Sequence, residues 1–240
     1  MLDWRIPAII MAYTLTIDFN KPIALFPLDN CVLLPHATVP LHIFEPRYRA
    51  MTHDAIDSSG LIAMAVFEGD RYMTEYEGQP PIRDHVCVGY IVHHERLADG
   101  RYNMLLQGVA RARIVQELMP DDGGYRRAML KPVELSVMEI DLDRVRHDIE
   151  GELNDPHLKG LASVGNVCNW LSPDLPTPAV VDLTWQALAR DTQTRYEVLS
   201  EPDSIARADR LLRLLKQTRR TLALADAMGP STSENGLSLN

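Results

Sequence analysis

The stretch IALFPLDNCVLLPHATVPLHIFEPRY (residues 23–48) carries more information about the fold than any other part of this chain. Prolines interrupt its apolar runs at four positions, Pro27, Pro35, Pro40 and Pro46. Because proline fixes the backbone φ angle and has no amide donor, it occupies strand ends and bulges rather than a central ladder. We therefore predict short, bent strands that wrap a small barrel-like sheet and lead into a helix beginning near Pro46.

A second block, GYIVHHERLADGRYNMLLQGVARARI (residues 89–114), is typical of a β-hairpin. Apolar and polar residues alternate along it, as on strands with one buried face. The Asp-Gly pair in its middle favours the positive φ angles of a tight primed turn. We predict a strand that enters at Gly89, a turn at Asp99 and Gly100, and a step from Gly108 to Arg111 into the next strand.

Periodicity predicts further strands before residue 135 and helices after it. The apolar run at residues 61–67 indicates a strand buried on both faces, and residues 125–133 indicate a last strand. Helical spacing predicts helices over 138–153, 158–171 and 177–190, and another after a helix-start sequence at 200–203. That last helix places four apolar residues on one face: Ile205, Ala208, Leu212 and Leu215.

In this order, and about forty residues apart, the two blocks resemble the opening of the substrate-binding (N-terminal) domain of Lon proteases. The resemblance covers residues 22–134, and over 137–227 it rests on helix order and the break at Trp170-Leu171-Ser172-Pro173. It implies an α+β fold, with an N-terminal PUA-like β pseudo-barrel followed by a C-terminal helical bundle. The expected division is an N-terminal extension (1–20), a β domain (21–135), a helical bundle (136–228) and a disordered tail (229–240).

The overall composition excludes several classes of function. A net charge of −9 and a pI near 5.3 argue against binding to nucleic acid, which needs clustered cations. No apolar run reaches the roughly 20 residues needed to span a bilayer. The cysteines Cys31, Cys87 and Cys168 form no C-x-x-C pattern and are expected to be free thiols in a reducing cytosol. We predict a cytoplasmic protein that binds neither nucleic acid nor membrane.

The ATPase and Ser-Lys peptidase motifs of Lon proteases are not found in this sequence. None of the four lysines follows a glycine, as a Walker A loop requires. Ser172 and Lys216 form a Ser-Lys pair only formally, since the serine lies in a helix break. His93-His94-Glu95 lacks the second histidine of a zinc-protease motif, because Ala98 occupies that position. We predict a chain without catalysis, metal or cofactor that stands alone, without ATPase and protease modules.

Glu45, between Phe44 and Pro46, is expected to be partly buried. A partly buried carboxylate needs a cationic partner. We predict a structural ion pair with Arg47, Arg111 or Arg113 rather than a catalytic role.

The remaining candidate residues are aromatic. Phe44, Tyr48, Tyr90 and Tyr102 lie near the two blocks and could anchor exposed peptide where they reach the surface.

The resemblance implies recognition of unfolded or degron-bearing polypeptides, as an adaptor that works with a protease or chaperone. A PUA-like small-molecule or RNA module is the alternative, and the acidic charge counts against RNA. We expect helices to dock on the sheet, and the loops between Pro27 and Pro40 and the Asp99-Gly100 hairpin to stay free for a partner.

Overall fold

The computed structural model describes residues 15–76, 78–119, 124–133 and 139–228. Within these residues the chain forms six strands followed, and in two places interrupted, by helices. The strands are β1 (Ile23–Leu28), β2 (Thr38–Ile43), β3 (Leu61–Val66), β4 (His85–Arg96), β5 (Tyr102–Leu118) and β6 (Arg126–Pro132). The helices are α1 (Pro46–Ile56), α2 (Tyr72–Glu75), α3 (Glu139–Leu153), α4 (Pro156–Lys159), α5 (Ala162–Trp170), α6 (Thr177–Leu188), α7 (Thr192–Ser200) and α8 (Ser204–Met228).

The strands form one mixed sheet in the order β2-β5-β4-β3-β1-β6, and β6 also pairs with β5. This additional pairing closes the sheet into a small barrel and leaves β2 outside the closed ring. β1 and β3 run parallel, and the other pairs are antiparallel. The predicted α+β class, with a β-rich first half and a helical second half, is confirmed.

Two hydrophobic clusters lie on opposite faces of the barrel wall. Successive residues of β3 belong to different clusters. Ala63 and Ala65 lie in the barrel interior, and Ile62 and Met64 lie in the cluster outside the barrel. The outer cluster is continuous with the helices, where it includes Trp185 of α6. The predicted burial of β3 on both faces is confirmed, and the helices pack directly on the barrel.

A buried ionic cluster joins the barrel to the helices. The Arg111 guanidinium on β5 donates from Nη1 and Nη2 to the two carboxylate oxygens of Asp182 on α6, at 2.9 and 2.6 Å. Arg207 Nε on α8 lies 3.6 Å from the same carboxylate, and these three side chains have no solvent exposure. Arg207 also donates to the Glu201 carbonyl at 2.7 Å. Arg111 is therefore paired with Asp182 rather than with Glu45.

The predicted step from Gly108 to Arg111 lies inside one continuous strand, so the prediction of two strands is wrong. Gly108 bonds in both directions to the loop before β2: it donates to the Ala37 carbonyl and accepts from the His36 amide, each at 2.8 Å. A Cβ at Gly108 would lie 2.3 Å from the Leu34 carbonyl oxygen. The glycine thus allows β5 to pass against this loop while it continues from one side of the barrel to the other.

The hairpin between β4 and β5 differs from a two-residue primed turn. Gly100 donates to the Leu97 carbonyl at 2.9 Å and has φ of 83°, whereas Asp99 does not have a positive φ. Leu97 donates in turn to the Arg101 carbonyl at 2.8 Å. This is a three-residue hairpin loop, in which the four-residue turn from Leu97 ends on the left-handed Gly100. Asp99 contributes through its carboxylate, which accepts from the Arg101 amide at 3.1 Å.

The middle of the segment between Pro27 and Pro40 is buried, contrary to the prediction that this loop stays free. Leu33 and Leu34 are fully buried in the outer cluster. Gln186 of α6 accepts from the Leu34 amide at 3.1 Å and donates to the Val32 carbonyl at 3.4 Å. A glutamine side chain satisfies this irregular backbone, which explains how the loop can be buried without strand pairing.

The helical half departs from the prediction in four places. The helix expected over 158–171 is divided into α4 and α5, and α7 was not predicted. Ser200 ends α7, and the following helix is instead capped by Asp203, whose carboxylate accepts from the Ile205 amide at 2.9 Å. The buried face of α8 includes Arg207 and Leu211, while Ile205 is only half-buried.

Several expectations concern residues outside the described ranges. They include residues 1–14 of the expected N-terminal extension, the junction at 134–138 and the expected tail at 229–240. Among the helices that the structure describes, none is both long and apolar enough to cross a membrane.

Candidate functional site

The four candidate aromatic anchors divide into two pairs. Tyr48 and Tyr102 are each 4% exposed and belong to the outer core, so these two candidates do not reach the surface as anchors. Tyr48 faces inward from α1, with its ring 4.6 Å from that of Phe26. Phe44 is 60% exposed and Tyr90 is 37% exposed. Only the latter two reach solvent.

A cleft of about 150 Å³ lies beside the first turn of α1. Its walls come from β1, the end of β3, the segment after α2 and the start of β6, and include Pro27, Phe67, Pro80 and Tyr125. An apolar cavity of about this volume can hold a benzene ring. The cleft thus has room for about one side chain.

Arg47 lies in this cleft between two tyrosine rings. Its Cζ atom is 4.7 Å from the ring centre of Tyr48 and 4.5 Å from that of Tyr76. Arg47 Nη1 donates to the Tyr76 carbonyl at 3.3 Å, and Nε donates to Glu45 Oε2 at 3.2 Å. The Tyr76 hydroxyl donates to Glu45 Oε1 at 2.6 Å. The predicted ion pair of Glu45 with Arg47 is confirmed, and it fixes the guanidinium plane.

The protonation states follow from these contacts. Burial raises the pKa of the Tyr48 hydroxyl, and burial together with the hydrogen bond to Glu45 raises the pKa of Tyr76. Burial alone would lower the pKa of Arg47, but the neighbouring tyrosines and Glu45 raise it on balance. At neutral pH both tyrosines are neutral donors and Arg47 is a cation.

A second arginine of the cleft is also neutralised. Arg126 donates from Nε to Glu117 at 2.9 Å and from Nη1 to the Pro80 carbonyl at 2.6 Å. The cleft therefore combines apolar walls with two guanidinium groups whose charge is compensated. Among the described residues, its lining includes no carboxylate, histidine, cysteine or serine.

A larger, more open cleft lies between α7 and the start of β4 and consists mainly of paired polar groups. Tyr196 of α7 accepts from the His85 amide at 3.1 Å and donates to Asp84 at 3.3 Å. Burial opposes ionisation of Asp84, but His85 and Arg113 lower its pKa on balance. These groups join α7 to the barrel and satisfy one another, which makes this cleft a structural contact.

Sequence reasoning named three members of the smaller cleft, Pro27, Arg47 and Tyr48, and missed Phe67, Tyr76 and Arg126. A signal was available in the spacing of Tyr72 and Tyr76, which share one face of a helical turn. Tyr72 stacks on Phe67 at 5.0 Å between ring centres, and Tyr76 contacts the same ring at 6.2 Å. Across the described residues no group of three or more His, Cys, Asp or Glu is placed to hold a metal ion.

Replacing Glu45 with alanine should lower the free energy of unfolding by about 1–2 kcal/mol. The Glu45 and Arg47 side chains are 25% and 21% exposed. Losing Glu45 should therefore cost more than the roughly 0–1 kcal/mol of a surface pair and less than the roughly 3–5 kcal/mol of removing one partner from a fully buried pair. Urea denaturation measures the change. Glu75→Ala is the control, because Glu75 pairs with Arg71 at the surface, and it should cost less than about 0.5 kcal/mol. Equal losses for the two variants would contradict the assignment.

The sequence has recognisable relatives among the Lon proteases. It is 24% identical over 221 residues to Lon protease 2 of Myxococcus xanthus, covering 87% of this chain and 25% of that protein. It is also 24% identical over 222 residues to the Lon protease of Anaeromyxobacter dehalogenans, with the same coverages. The chain thus spans about a quarter of the length of these relatives.

Solved structures support the fold. A Lon N-terminal domain protein from Xanthomonas campestris superimposes with a TM-score of 0.55 and 19% identity, covering 80% of this chain and 98% of that one. The N-terminal domain of a Mycobacterium avium complex Lon protease superimposes with a TM-score of 0.58 and 18% identity, covering 83% of this chain and 98% of that domain. The family model of the substrate-binding domain of ATP-dependent protease La (LON) matches residues 22–217. With this match, the barrel and the helices that pack on it, the chain belongs to the Lon substrate-binding domain family.

Proposed function

We propose that this chain recognises unfolded or degron-bearing polypeptide without catalysing a reaction, and that the cleft around Arg47 holds one side chain of the bound segment. The single observation that supports this site is the arrangement of Arg47 between the rings of Tyr48 and Tyr76. An aromatic or aliphatic side chain entering the cleft would contact Phe67 and Pro27 and lie against a guanidinium whose charge is already compensated.

The chemistry of the cleft favours weak, reversible binding. Burial of one large apolar side chain contributes about 1.5–3 kcal/mol. A Kd between 1 mM and 1 μM requires about 4–8 kcal/mol, so the cleft accounts for only part of such an affinity. Weak recognition suits a module that samples many unfolded chains and passes them to a protease or chaperone in the cytoplasm, which is the role we propose.

Replacing Tyr76 with alanine should weaken polypeptide binding by about tenfold, because it removes one wall of the cleft and the ring against Arg47. The probe is fluorescently labelled α-lactalbumin, reduced and carboxymethylated so that it stays unfolded. Fluorescence anisotropy gives the Kd for the full chain and its variants. Circular dichroism and urea denaturation show whether each variant is folded under the conditions of the assay.

Met73→Ala is the matched control, because Met73 lies on the same short helix and is largely exposed outside the cleft. It should leave the Kd within about twofold of the original value. Equal weakening by Met73→Ala and Tyr76→Ala would refute the cleft as the site. Absence of binding by the unaltered chain would refute polypeptide recognition itself.

A further inference from the structure

Strand β4 extends well beyond its neighbour β3. β4 pairs with β3 only as far as Tyr90, opposite Leu61, whereas it pairs with β5 as far as Arg96, opposite Tyr102. Along residues 92–96, β4 therefore has a strand on one side only within the described sheet. The side chains of this segment are exposed.

The hydrogen bonds at the two ends of the segment show which backbone groups face outward. At one end, Leu97 donates to the Arg101 carbonyl across the hairpin, toward β5. At the other end, Ile91 donates to the Gly60 carbonyl, away from β5. A β-bulge lies between Ile91 and His93, and it shifts the alternation of backbone groups that face toward and away from β5.

Backbone groups of successive residues in a strand point to opposite sides, and the Leu97 amide points toward β5. The backbone groups of Arg96 and His94 therefore point away from β5, and those of Glu95 point toward it. Among the described residues, no backbone or side-chain group bonds to the outward N–H and C=O groups of His94 and Arg96. This edge thus presents two donor and acceptor pairs in the spacing of a β-ladder.

The other exposed edge of the sheet is blunted. Pro40 lies in the middle of β2, where it removes a backbone donor from that edge strand. The outer edge of β4 contains no proline, and Val92 beside it is 43% exposed. Charged and histidine side chains along residues 93–96 follow the pattern that discourages association between flat edges of folded sheets. The edge therefore favours a partner that brings unpaired backbone groups of its own.

We propose that the outer edge of β4, residues 92–96, accepts an extended segment of the bound polypeptide as an additional strand. This proposal rests on the proposed function and adds a second mode of contact to it. An unfolded chain presents free N–H and C=O groups whatever its sequence, so strand addition recognises it through its main chain. The Arg47 cleft then contributes preference for one side chain, while the β4 edge contributes affinity that is independent of sequence.

Amide hydrogen exchange of the ¹⁵N-labelled full chain tests this directly, with and without saturating carboxymethylated α-lactalbumin. The His94 and Arg96 amides should exchange rapidly in the free protein and slow by about tenfold or more in the complex. The Glu95 amide faces β5 and should be protected in both states, which makes it an internal control. Complex formation with no added protection of His94 and Arg96 would overturn strand addition and leave the cleft proposal standing.

A pair of substitutions at His94 distinguishes the contribution of its backbone N–H to binding from that of its side chain. His94→Pro removes the outward donor without removing a bond to β5, and it should weaken α-lactalbumin binding by about fivefold or more. His94→Thr keeps the donor and should leave the affinity within about twofold. Equal effects of the two variants would overturn the proposal. Protection of His94 and Arg96 that is present without α-lactalbumin and is lost on dilution would identify a second copy as the occupant and overturn it as well.

Discussion

Replacing Asp182 with alanine is expected to lower the free energy of unfolding by about 3–5 kcal/mol, the cost of removing one partner from a buried ion pair. The Asp182 carboxylate receives two hydrogen bonds from Arg111 and lies 3.6 Å from Arg207 Nε, in a site without solvent exposure. Without the carboxylate, two guanidinium groups would face each other in a buried site. Urea denaturation followed by circular dichroism measures the loss.

Arg113→Ala is the control for this prediction. Arg113 lies two residues after Arg111 on the same strand, but it pairs with Asp84 where the two side chains are 50% and 52% exposed. Its loss should cost less than about 1 kcal/mol. A change below about 1 kcal/mol for Asp182→Ala would show that the buried cluster does not stabilise the contact between barrel and helices.

The parts of the fold that were predicted correctly depend on local pattern. The short, unbroken apolar run of β3 lies between Gly60 and Gly69, which favours a strand buried on both faces, and Pro46 marked the start of α1. The role of Arg111 could not be found in this way. Its partner lies 71 residues away along the chain, and no local sequence pattern predicts a contact between residues so far apart. The one hint was Asp182 itself, a single carboxylate within the apolar sequence of α6.

The candidate site was predicted only in part, for a similar reason. Glu45 and Arg47 are neighbours in sequence, so their ion pair could be expected. Tyr76 reaches the same carboxylate from 31 residues further along, and a four-residue helix brings it there. The spacing of Tyr72 and Tyr76 indicates a shared helical face, but it does not indicate which distant segment that face contacts. The proposed binding cleft is thus assembled from segments whose proximity depends on closure of the barrel.

Replacing Gly108 with alanine is expected to destabilise the protein by about 1–3 kcal/mol or more, as overpacking does in a close-packed interior. The new Cβ atom would lie 2.3 Å from the Leu34 carbonyl oxygen and 2.9 Å from Cys87 Sγ. The first contact is with backbone that Gln186 and Gly108 both hold in place through hydrogen bonds, so it cannot move aside without breaking them. The substitution therefore strains the junction of β5, the buried loop and α6 at once.

Gly151→Ala provides the opposite case within the same chain. Gly151 lies inside α3, and an added Cβ there meets no atom within 4 Å. Alanine is favoured over glycine in a helix interior by about 0.5–1 kcal/mol, so this variant should be more stable than the unaltered chain. Urea denaturation of both variants compares the two effects directly. Equal stability of Gly108→Ala and the unaltered chain would mean that the loop at residues 34–37 can move away from β5, and that the glycine is not what allows the strand to pass it.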